Sequence, residues 1–530
     1  MKKFIRNLLS GYLLILLLLL IELGIIIAFQ FFMDDIVVWF VDRTNAGEDA
    51  VVIIALVYLA VRFAIFIISL MIFFRIINKS EDPEFKIPWI VGMLLLPLLT
   101  GVIYLIFGNH GIRKKDKRII DAYLRTVTPF FYYNEQQKEK IDHDLGYAVG
   151  TFNYLRNTTK LGISTNNRVK YYKTGEEFFP ELYESIKLAK EFIFMEFFII
   201  TDGKWWGLIK EELINKAKAG VEVRLVYDDM GCGGTIKANT PKVLGQYGIK
   251  CYKFHPFRPI LSGVFNNRDH RKIVVIDHQF GFTGGMNLAD EYANEIKRFG
   301  YWKDTMVKIE GSAINNLIAV FLENYSLASN EILDFGKYLN YEYPKYEDEG
   351  YVMPFGDSPG DIDAALIGEQ NYMNILNYAH KRVDISTPYL IPTYGLMDAL
   401  RNAALRGVEV NLIVPGIPDK RLAYLLGKSN FKFLLKAGVN IYTYTPGFNH
   451  MKTVIADGEL AFVGTINFDF RSLVHHFECG TILYKTECLK DICDDFNEML
   501  AQSKKVPVDF KLRLFSRSIA GLFKIISALF

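Results

Sequence analysis

The sequence predicts an α/β protein in which N-terminal transmembrane helices are followed by two duplicated α/β domains related by a pseudo-twofold axis. Long apolar runs fill much of residues 1–110, which indicates membrane-anchoring segments. The rest of the chain alternates short apolar runs with stretches of helical spacing, as expected for a mixed, largely parallel sheet in each domain. One residue pattern also occurs twice in this part, which indicates the duplication.

Two or three transmembrane helices are predicted in residues 1–110. Leu8 to Phe32 is apolar with a single charge, and about 20 such residues suffice to cross a bilayer. A cleaved signal peptide is the alternative, but the run is too long and no clean cleavage site follows it. Val51 to Phe74 is a second candidate. Trp89 to Phe107 is a third apolar run, interrupted by Pro97, and it either spans the membrane or folds back as a hairpin.

The charges that flank these runs predict a multi-pass protein of the cell membrane with its catalytic part on the cytoplasmic side. Lys2, Lys3 and Arg6 favour an inside N-terminus, and the basic run at residues 113–118 favours the same side. Three full crossings from an inside start would place that basic run outside. Either the third apolar run crosses only in part, or the N-terminus is outside.

Composition narrows the class of protein further. Lys+Arg 61 against Asp+Glu 59 leaves a formal net charge of +2, which argues against a dedicated nucleic-acid binder, and no nucleic-acid partner is expected. A hydrophobic content of 51% agrees with membrane segments. The five cysteines form no C-x-x-C pair, so we expect reduced core residues, as in a cytoplasmic catalytic part.

The repeated pattern is H-x-K-x4-D-x6-G-x2-N. The first copy supplies His270, Lys272, Asp277, Gly284 and Asn287, and the second supplies His450, Lys452, Asp457, Gly464 and Asn467. An apolar run between the lysine and the aspartate is typical of a short buried strand. Alternation along that strand places the histidine and the lysine of each copy on the same face.

Together the two copies offer two imidazoles, two ammonium groups and two amides, which suit a phosphodiester substrate. The lysines and the asparagines Asn287 and Asn467 can neutralise the phosphate, while one neutral histidine attacks phosphorus and the other donates a proton to the leaving alkoxide. Asp277, Asp457 and Glu478 are candidates for orienting the rings, although both aspartates equally suit the ends of strands. An ammonium group offers no lone pair to a metal, so neither a metal nor a cofactor is expected.

This pattern resembles the phospholipase D superfamily, the HKD enzymes, and more closely the bacterial cardiolipin synthase family. In the first half the matching words are RDHRK from Arg268, FTGGMN from Phe282, DEY from Asp290 and WKDT from Trp302. In the second half they are PYLIP from Pro388, HMK from His450, GTINFDFRS from Gly464 and HFE from His476. The resemblance runs through nearly the whole chain.

The resemblance implies that His270 is the nucleophile, that His450 is the general acid and base, and that Glu478 hydrogen-bonds a catalytic histidine. It also implies phosphatidyl transfer between two phosphatidylglycerol molecules, which gives cardiolipin and glycerol through a phosphohistidine. The expected partners are therefore phosphatidylglycerol and anionic membrane lipid. A phospholipase D, a phosphatidyltransferase with another alcohol acceptor, and a membrane-anchored nuclease of the same superfamily are the alternatives.

Three residues depart from the family pattern. His476 stands where the family usually has asparagine, Met306 where histidine is common, and Asp269 in place of a frequent asparagine. None of these departures removes a catalytic group.

The predicted domain limits follow from these patterns. We expect the first HKD domain over residues 125–337, an interdomain linker over 338–360, and the second HKD domain over 361–509. Residues 510–530 mix basic and apolar side chains without an acid, which predicts an amphipathic helix on the membrane surface. A terminal helix packed on the protein is the alternative, and the sequence leaves the oligomeric state open.

Overall fold

A computed structural model describes residues 48–79, 83–108, 111–256, 266–331, 333–346, 350–359 and 366–526. The first predicted membrane segment, Leu8 to Phe32, lies outside these residues. Among the residues that are described, no helix combines the length and the apolar character of a membrane-crossing segment. The structure therefore does not show the predicted transmembrane helices.

Within the described residues, three helices precede the catalytic part: α1 (Glu48–Asn78), α2 (Pro83–Leu95) and α3 (Pro97–Phe107). The third predicted apolar run is thus divided between two short helices. Pro97 starts α3 and keeps the preceding Leu96 out of the helical region, with φ −140°. The three helices pack through an apolar cluster of Ile72, Ile76, Trp89, Met93 and Tyr104.

The first half of the catalytic part contains eight strands in the segments that the structure describes. They are β1 (Asn167–Tyr172), β2 (Phe192–Phe197), β3 (Glu222–Asp228), β4 (Lys250–Phe254), β5 (Lys272–Ile276), β6 (Phe280–Gly284), β7 (Tyr301–Lys303) and β8 (Met306–Gly311). All except β7 form one sheet in the order β1-β8-β6-β5-β2-β3-β4. Only β2, β3 and β4 are parallel to one another.

The second half repeats this sheet. Its strands are β9 (Tyr351–Asp357), β10 (Arg382–Ser386), β11 (Leu390–Ile391), β12 (Glu409–Pro415), β13 (Asn440–Tyr444), β14 (Gly447–Asn449), β15 (Thr453–Ala456), β16 (Leu460–Gly464), β17 (Phe468–Asp469), β18 (Glu478–Tyr484) and β19 (Ser503–Lys505). The sheet order β19-β13-β12-β10-β15-β16-β18-β9 matches the first sheet strand for strand, with β19 added at one edge. Within this sheet, parallel pairing is again confined to three strands, β10, β12 and β13; the short pairs β11–β17 and β14–β7 outside the large sheets are also parallel. The duplication is therefore confirmed, but the expectation of largely parallel sheets was wrong, because the repeated motif forms an antiparallel hairpin in each half.

Thirteen described helices surround the two sheets. They are α4 (Lys114–Val127), α5 (Glu135–Leu145), α6 (Val149–Thr159), α7 (Gly175–Lys187), α8 (Lys204–Lys218), α9 (Thr240–Gly245), α10 (Ile314–Ser329), α11 (Gly336–Leu339), α12 (Ile367–Tyr378), α13 (Tyr394–Leu405), α14 (Arg421–Lys436), α15 (Leu489–Ala501) and α16 (Leu514–Ile526). Helix α10 is buried on nearly all sides because it packs against strands of both sheets. The principal apolar core is therefore continuous between the two halves.

Strand β9 lies within residues 338–360, the stretch expected to be a linker. It pairs antiparallel with β18 and forms the edge of the second sheet. An edge position accommodates Pro354, which has no N–H to donate to a neighbouring strand. Residues 351–357 of this stretch are thus part of the second sheet.

A buried ion pair joins the two halves away from the sheets. The ammonium group of Lys303 on β7 donates to both oxygens of Asp495 on α15, at 2.6 and 2.8 Å. The hydroxyl of Tyr171 donates to the same carboxylate at 2.7 Å. Both charged groups are almost completely buried. Removing either partner would therefore leave the other as an uncompensated buried charge.

We expect Lys303→Met to lower the melting temperature (Tm) of the protein markedly, because it leaves the Asp495 carboxylate buried without a cation. Removing one partner of such a pair costs about 3–5 kcal/mol. Lys173→Met is the matched control, since it breaks the exposed pair with Glu498, which is worth about 1 kcal/mol or less. Thermal unfolding in detergent micelles measures both; equal losses of Tm would contradict the role given to the buried pair.

Candidate active site

The two copies of the motif lie at corresponding places in the two sheets. β5 stands between β2 and β6, and β15 between β10 and β16. In each copy the histidine precedes the strand. Lys272 begins β5 and Lys452 comes directly before β15, so that the histidine and the lysine of each copy lie at the same end of the strand. His270, Lys272, His450 and Lys452 are all buried.

Backbone hydrogen bonds fix each motif histidine to the opposite half. The N–H of His270 donates to the carbonyl of Phe477 at 2.8 Å, and the N–H of His450 donates to the carbonyl of Lys303 at 2.7 Å. The short strand β14, which leads to His450, also pairs with β7 of the first half. Each histidine therefore lies directly on the seam between the halves.

Side-chain hydrogen bonds across the seam orient both rings. Nδ1 of His270 lies 2.9 and 2.8 Å from the two oxygens of Glu478, and Nδ1 of His450 lies 2.6 Å from Oδ2 of Asp304. Each carboxylate belongs to the half that does not supply its histidine. A neutral imidazole that donates from Nδ1 carries its lone pair on Nε2, which leaves Nε2 to face a substrate.

Nδ1 of His450 has a second neighbour, the ammonium group of Lys452 at 2.8 Å. One ring nitrogen cannot donate to Asp304 and accept from Lys452 at the same time. The shorter contact, in which the carboxylate accepts, assigns the Nδ1 proton towards Asp304. Lys452 also donates to the carbonyl of His450, as Lys272 does to the carbonyl of His270.

The electrostatic interactions place both motifs in one site. Burial lowers the pKa of His270 well below its ordinary value, and the charges of Lys272, His476, Lys452 and His450 lower it further. Burial and the charge of Lys452 lower the pKa of His450 to about 4, while Asp304 opposes the change and Lys272 adds to it. The charge of the lysine in the other half thus lowers the pKa of each histidine.

Burial also changes the pKa values of the charged groups around the rings. It lowers the pKa of Lys272 to about 8 and that of Lys452 to about 7. Burial raises the pKa of Glu478, whereas the Lys272 ammonium and the Thr465 hydroxyl stabilise its ionised form. Two ammonium groups in a site that excludes water strongly favour an anion between them.

Both predicted asparagines, Asn287 and Asn467, are buried. The side-chain oxygen of Asn287 accepts from the N–H of Ile199 at 3.0 Å, and its amide donates to the hydroxyl of Tyr292 at 2.6 Å. The ring of Tyr292 lies 5.5 Å from that of His450, so Asn287 supports the wall of the site. The side-chain oxygen of Asn467 is buried and has no hydrogen-bond partner among the described residues.

The structure does not bring Asp277 and Asp457 to the histidines. Each follows the far end of its motif strand, at about 3.3 Å of rise per residue. The carboxylate of Asp277 accepts from three backbone N–H groups at residues 190–192, at 2.8–2.9 Å. That of Asp457 accepts from the N–H groups of residues 380–382, each at 2.8 Å. Both have a positive φ and hold a hairpin turn against the start of the neighbouring strand.

The sequence motifs did not predict a role for three residues of the site. Asp304 orients His450, Thr465 donates to Glu478, and His476 lies beside His270 with 5.4 Å between ring centroids. The sequence motif WKDT, which contains Asp304, could have predicted this role. Asp304 comes just before β8, and Glu478 begins β18, the corresponding strand of the second sheet. The ligating atoms of His270, His476 and Glu478 lie within 4.8 Å of one another, and these residues could hold a metal ion.

The segment that carries His476 and Glu478 contacts the N-terminal helices. Phe85 of α2 packs edge-on against Phe470 at 5.7 Å and against the ring of His475 at 6.3 Å. A π-helix over Arg471–His475 connects these contacts to His476. Helix α2 therefore supports the rim of the site.

Comparisons with known proteins agree with this architecture. Residues 182–323 and 372–500 match the family model described as cardiolipin synthase, PLD-like domain, and residues 67–109 match that described as phospholipase D-nuclease N-terminal. Cardiolipin synthase 2 of Bacillus anthracis is 33% identical over 459 residues, which cover 85% of this chain and 88% of its own. An uncharacterized protein of Streptococcus mutans is 42% identical over 432 residues, covering 81% and 93%.

Among solved structures, the phosphatidylserine synthase of Haemophilus influenzae superposes with a TM-score of 0.54 at 16% identity, covering 72% of this chain and 97% of that one. This likeness confirms the fold: two phospholipase D-like domains on one polypeptide. The sequence relatives and the family model also confirm the family that the two motifs resemble. The chain belongs to the cardiolipin synthase family, and it is an enzyme.

We expect Asp277→Asn to destabilise the protein without a selective effect on chemistry. Asparagine tolerates the positive φ, but it replaces a charged acceptor, and hydrogen bonds to charged groups are each worth about 1.5–3 kcal/mol. Tm should therefore fall, while the turnover number (kcat) of the folded protein is retained. Asp457→Asn is the matched variant in the second half. A large loss of kcat at unchanged Tm would contradict this structural role and show that the aspartates take part in catalysis.

Proposed function

We propose that the protein transfers a phosphatidyl group from one phosphatidylglycerol to another, which yields cardiolipin and glycerol without a metal or cofactor. One observation carries the proposal: two buried imidazoles, each oriented by a carboxylate from the opposite half, share one site with two buried lysines. This arrangement supplies a nucleophile, a proton donor and compensation for phosphate charge. The names of the relatives support the same lipid chemistry.

In the first step Nε2 of His270 attacks phosphorus and the bond to the glycerol oxygen breaks. Glu478 accepts the Nδ1–H of His270 and stabilises the positive charge that the ring acquires. His450 in its protonated form gives its Nε2 proton to the departing oxygen, so that glycerol leaves as a neutral alcohol. Lys272 and Lys452 bind the non-bridging oxygens, where negative charge increases in the transition state.

In the second step the free hydroxyl of another phosphatidylglycerol attacks the phosphatidyl-His270 intermediate. Neutral His450 takes the proton of that hydroxyl, and His270 leaves as phosphorus gains the new ester bond. One phosphodiester replaces another, so the reaction needs no nucleotide. Burial of the site limits attack by water on the intermediate.

The bound phosphodiester also helps His450 to take up the proton that the first step needs. In the empty site burial and Lys452 hold the pKa of His450 near 4, which keeps the ring neutral at pH 7. A phosphate anion between the lysines offsets their charge and raises the pKa of His450. Asp304 further stabilises the protonated ring, so that the general acid forms when substrate binds.

We also propose that the enzyme is a multi-pass protein of the cell membrane with its catalytic domains on the cytoplasmic side. Helix α1 has many exposed apolar side chains, among them Phe63, Phe66 and Phe74. Helix α16 exposes Leu514 and Phe515 beside basic residues, a pattern that suits anionic lipid. Contacts of α16 with α2 and α14 place this apolar and basic surface beside the catalytic part.

Purified protein incubated with phosphatidylglycerol vesicles should form cardiolipin and glycerol in equal amounts. His270→Ala and His450→Ala should each lower turnover by at least about 10³-fold, because residues that act as one catalytic unit cannot replace one another. His143→Ala is the control, since that ring is fully solvated in helix α5. Lipid mass spectrometry and a glycerol assay measure the products; phosphatidic acid without cardiolipin would exclude the synthase.

Asp304→Asn should change the pH dependence of kcat as well as its size. A carboxylate stabilises the protonated ring, so its removal lowers the pKa of His450 in the substrate complex. The alkaline limb of kcat, where His450 loses its proton, should move to lower pH, and kcat at neutral pH should fall by about 10²–10⁴-fold. Initial rates across the pH range measure both effects. An unshifted limb would show that Asp304 does not control His450.

A further inference from the structure

One cluster of ligating side chains lies partly outside the proposed mechanism. His270, His476 and Glu478 present atoms that lie within 4.8 Å of one another, and all three residues are buried. His476 and Glu478 are two residues apart at the start of β18, and His270 reaches them across the seam. The lysines of the motif offer no lone pair to a metal, whereas His476 adds a second imidazole beside His270.

His476 has no role in phosphoryl transfer that accounts for its position. Its ring is 8% exposed, and its Nδ1 has no hydrogen-bond partner among the described residues. That nitrogen lies 3.5 Å from Oε1 of Glu478, beyond good hydrogen-bonding distance but close to the separation of two ligands on one metal ion. Burying an imidazole nitrogen without a partner is costly, so its direction towards the carboxylate points to a ligand.

We propose that His270, His476 and Glu478 form an inhibitory site for Zn²⁺. Two imidazole nitrogens and one carboxylate oxygen are a ligand set typical of zinc sites that keep a fourth position open. Zinc binds neutral imidazoles and an ionised carboxylate, so its binding displaces any proton that Glu478 carries. The inference rests on the proposed role of His270 as the nucleophile, because that role makes the metal an inhibitor.

Zinc would inhibit the enzyme because a neutral imidazole ring has only one nitrogen lone pair available for bonding. Neutral His270 has one lone pair on its two ring nitrogens, and the other nitrogen carries a proton. If zinc takes the lone pair at either nitrogen, the remaining N–H cannot attack phosphorus. The metal also occupies Glu478, which would otherwise orient the ring and stabilise its charge. Binding changes no oxidation state and breaks no covalent bond to carbon.

The charges around the cluster limit its affinity for a cation. The ammonium groups of Lys272 and Lys452 lie in the same site, and Arg268 and Arg471 also interact with His476. These positive charges oppose Zn²⁺, so we expect binding weaker than in a structural zinc site. Zinc and the anionic phosphodiester then compete for free enzyme, because each uses His270.

The test uses the full-length protein in detergent micelles, with Zn²⁺ and Co²⁺ as the probes. Co²⁺ in a site of this kind gives visible absorption bands that report ligand geometry without any need for activity. Titration of each metal gives the stoichiometry and affinity, and Zn²⁺ is then titrated into the phosphatidylglycerol assay. His476→Asn removes one ligand, and His475→Asn makes the same change one residue away, outside the cluster.

We expect one Co²⁺ bound per chain, inhibition by Zn²⁺, and full recovery of activity with EDTA. His476→Asn should weaken metal binding by at least about tenfold and raise the inhibitory zinc concentration to the same extent relative to its own metal-free rate. His475→Asn should retain both. No metal binding by the unaltered protein, or equal zinc sensitivity of His476→Asn, would overturn the site. Binding that requires His476 in a protein without transferase activity would uphold the site and reject the proposed function.

Discussion

The catalytic centre depends on two histidine–carboxylate hydrogen bonds that cross between the halves of the chain. Glu478 of the second half holds His270, and Asp304 of the first half holds His450. Neither half can orient its own ring, so the site forms only when both domains have folded and docked. The backbone bonds from each histidine to the opposite half, and the buried pair of Lys303 with Asp495, stabilise that docking.

Burial gives this arrangement its preference for a phosphodiester. It keeps both histidines neutral in the empty site and lowers the pKa values of Lys272 to about 8 and Lys452 to about 7. An anion between the lysines restores their full charge and makes protonation of His450 easier. In the proposed mechanism, substrate binding therefore also favours protonation of His450, the proposed general acid, and burial of the site limits the access of water.

The sequence predicted the duplication and the two histidine–lysine pairs because their spacing is repeated without a gap. It did not identify Asp304, because the loop between the motif asparagine and this acid is longer than the loop that leads to Glu478. The aspartates were assigned to the site although Asp457 is followed by glycine, a turn signal that indicates a hairpin. That hairpin also explains why most strands pair antiparallel. Strand β9 was missed because Pro354 interrupts its alternation.

The N-terminal helices and the catalytic centre are linked by one short segment. Phe85 of α2 packs on Phe470 and His475, and the chain then continues through His476 to Glu478, which hydrogen-bonds His270. A displacement of α2 would therefore act first on the acid that aligns His270. Among the described residues, helix α1 carries many exposed apolar side chains and packs against α2. The contact of Phe85 with Phe470 and His475 therefore connects an apolar surface of the N-terminal helices to the segment whose carboxylate orients His270.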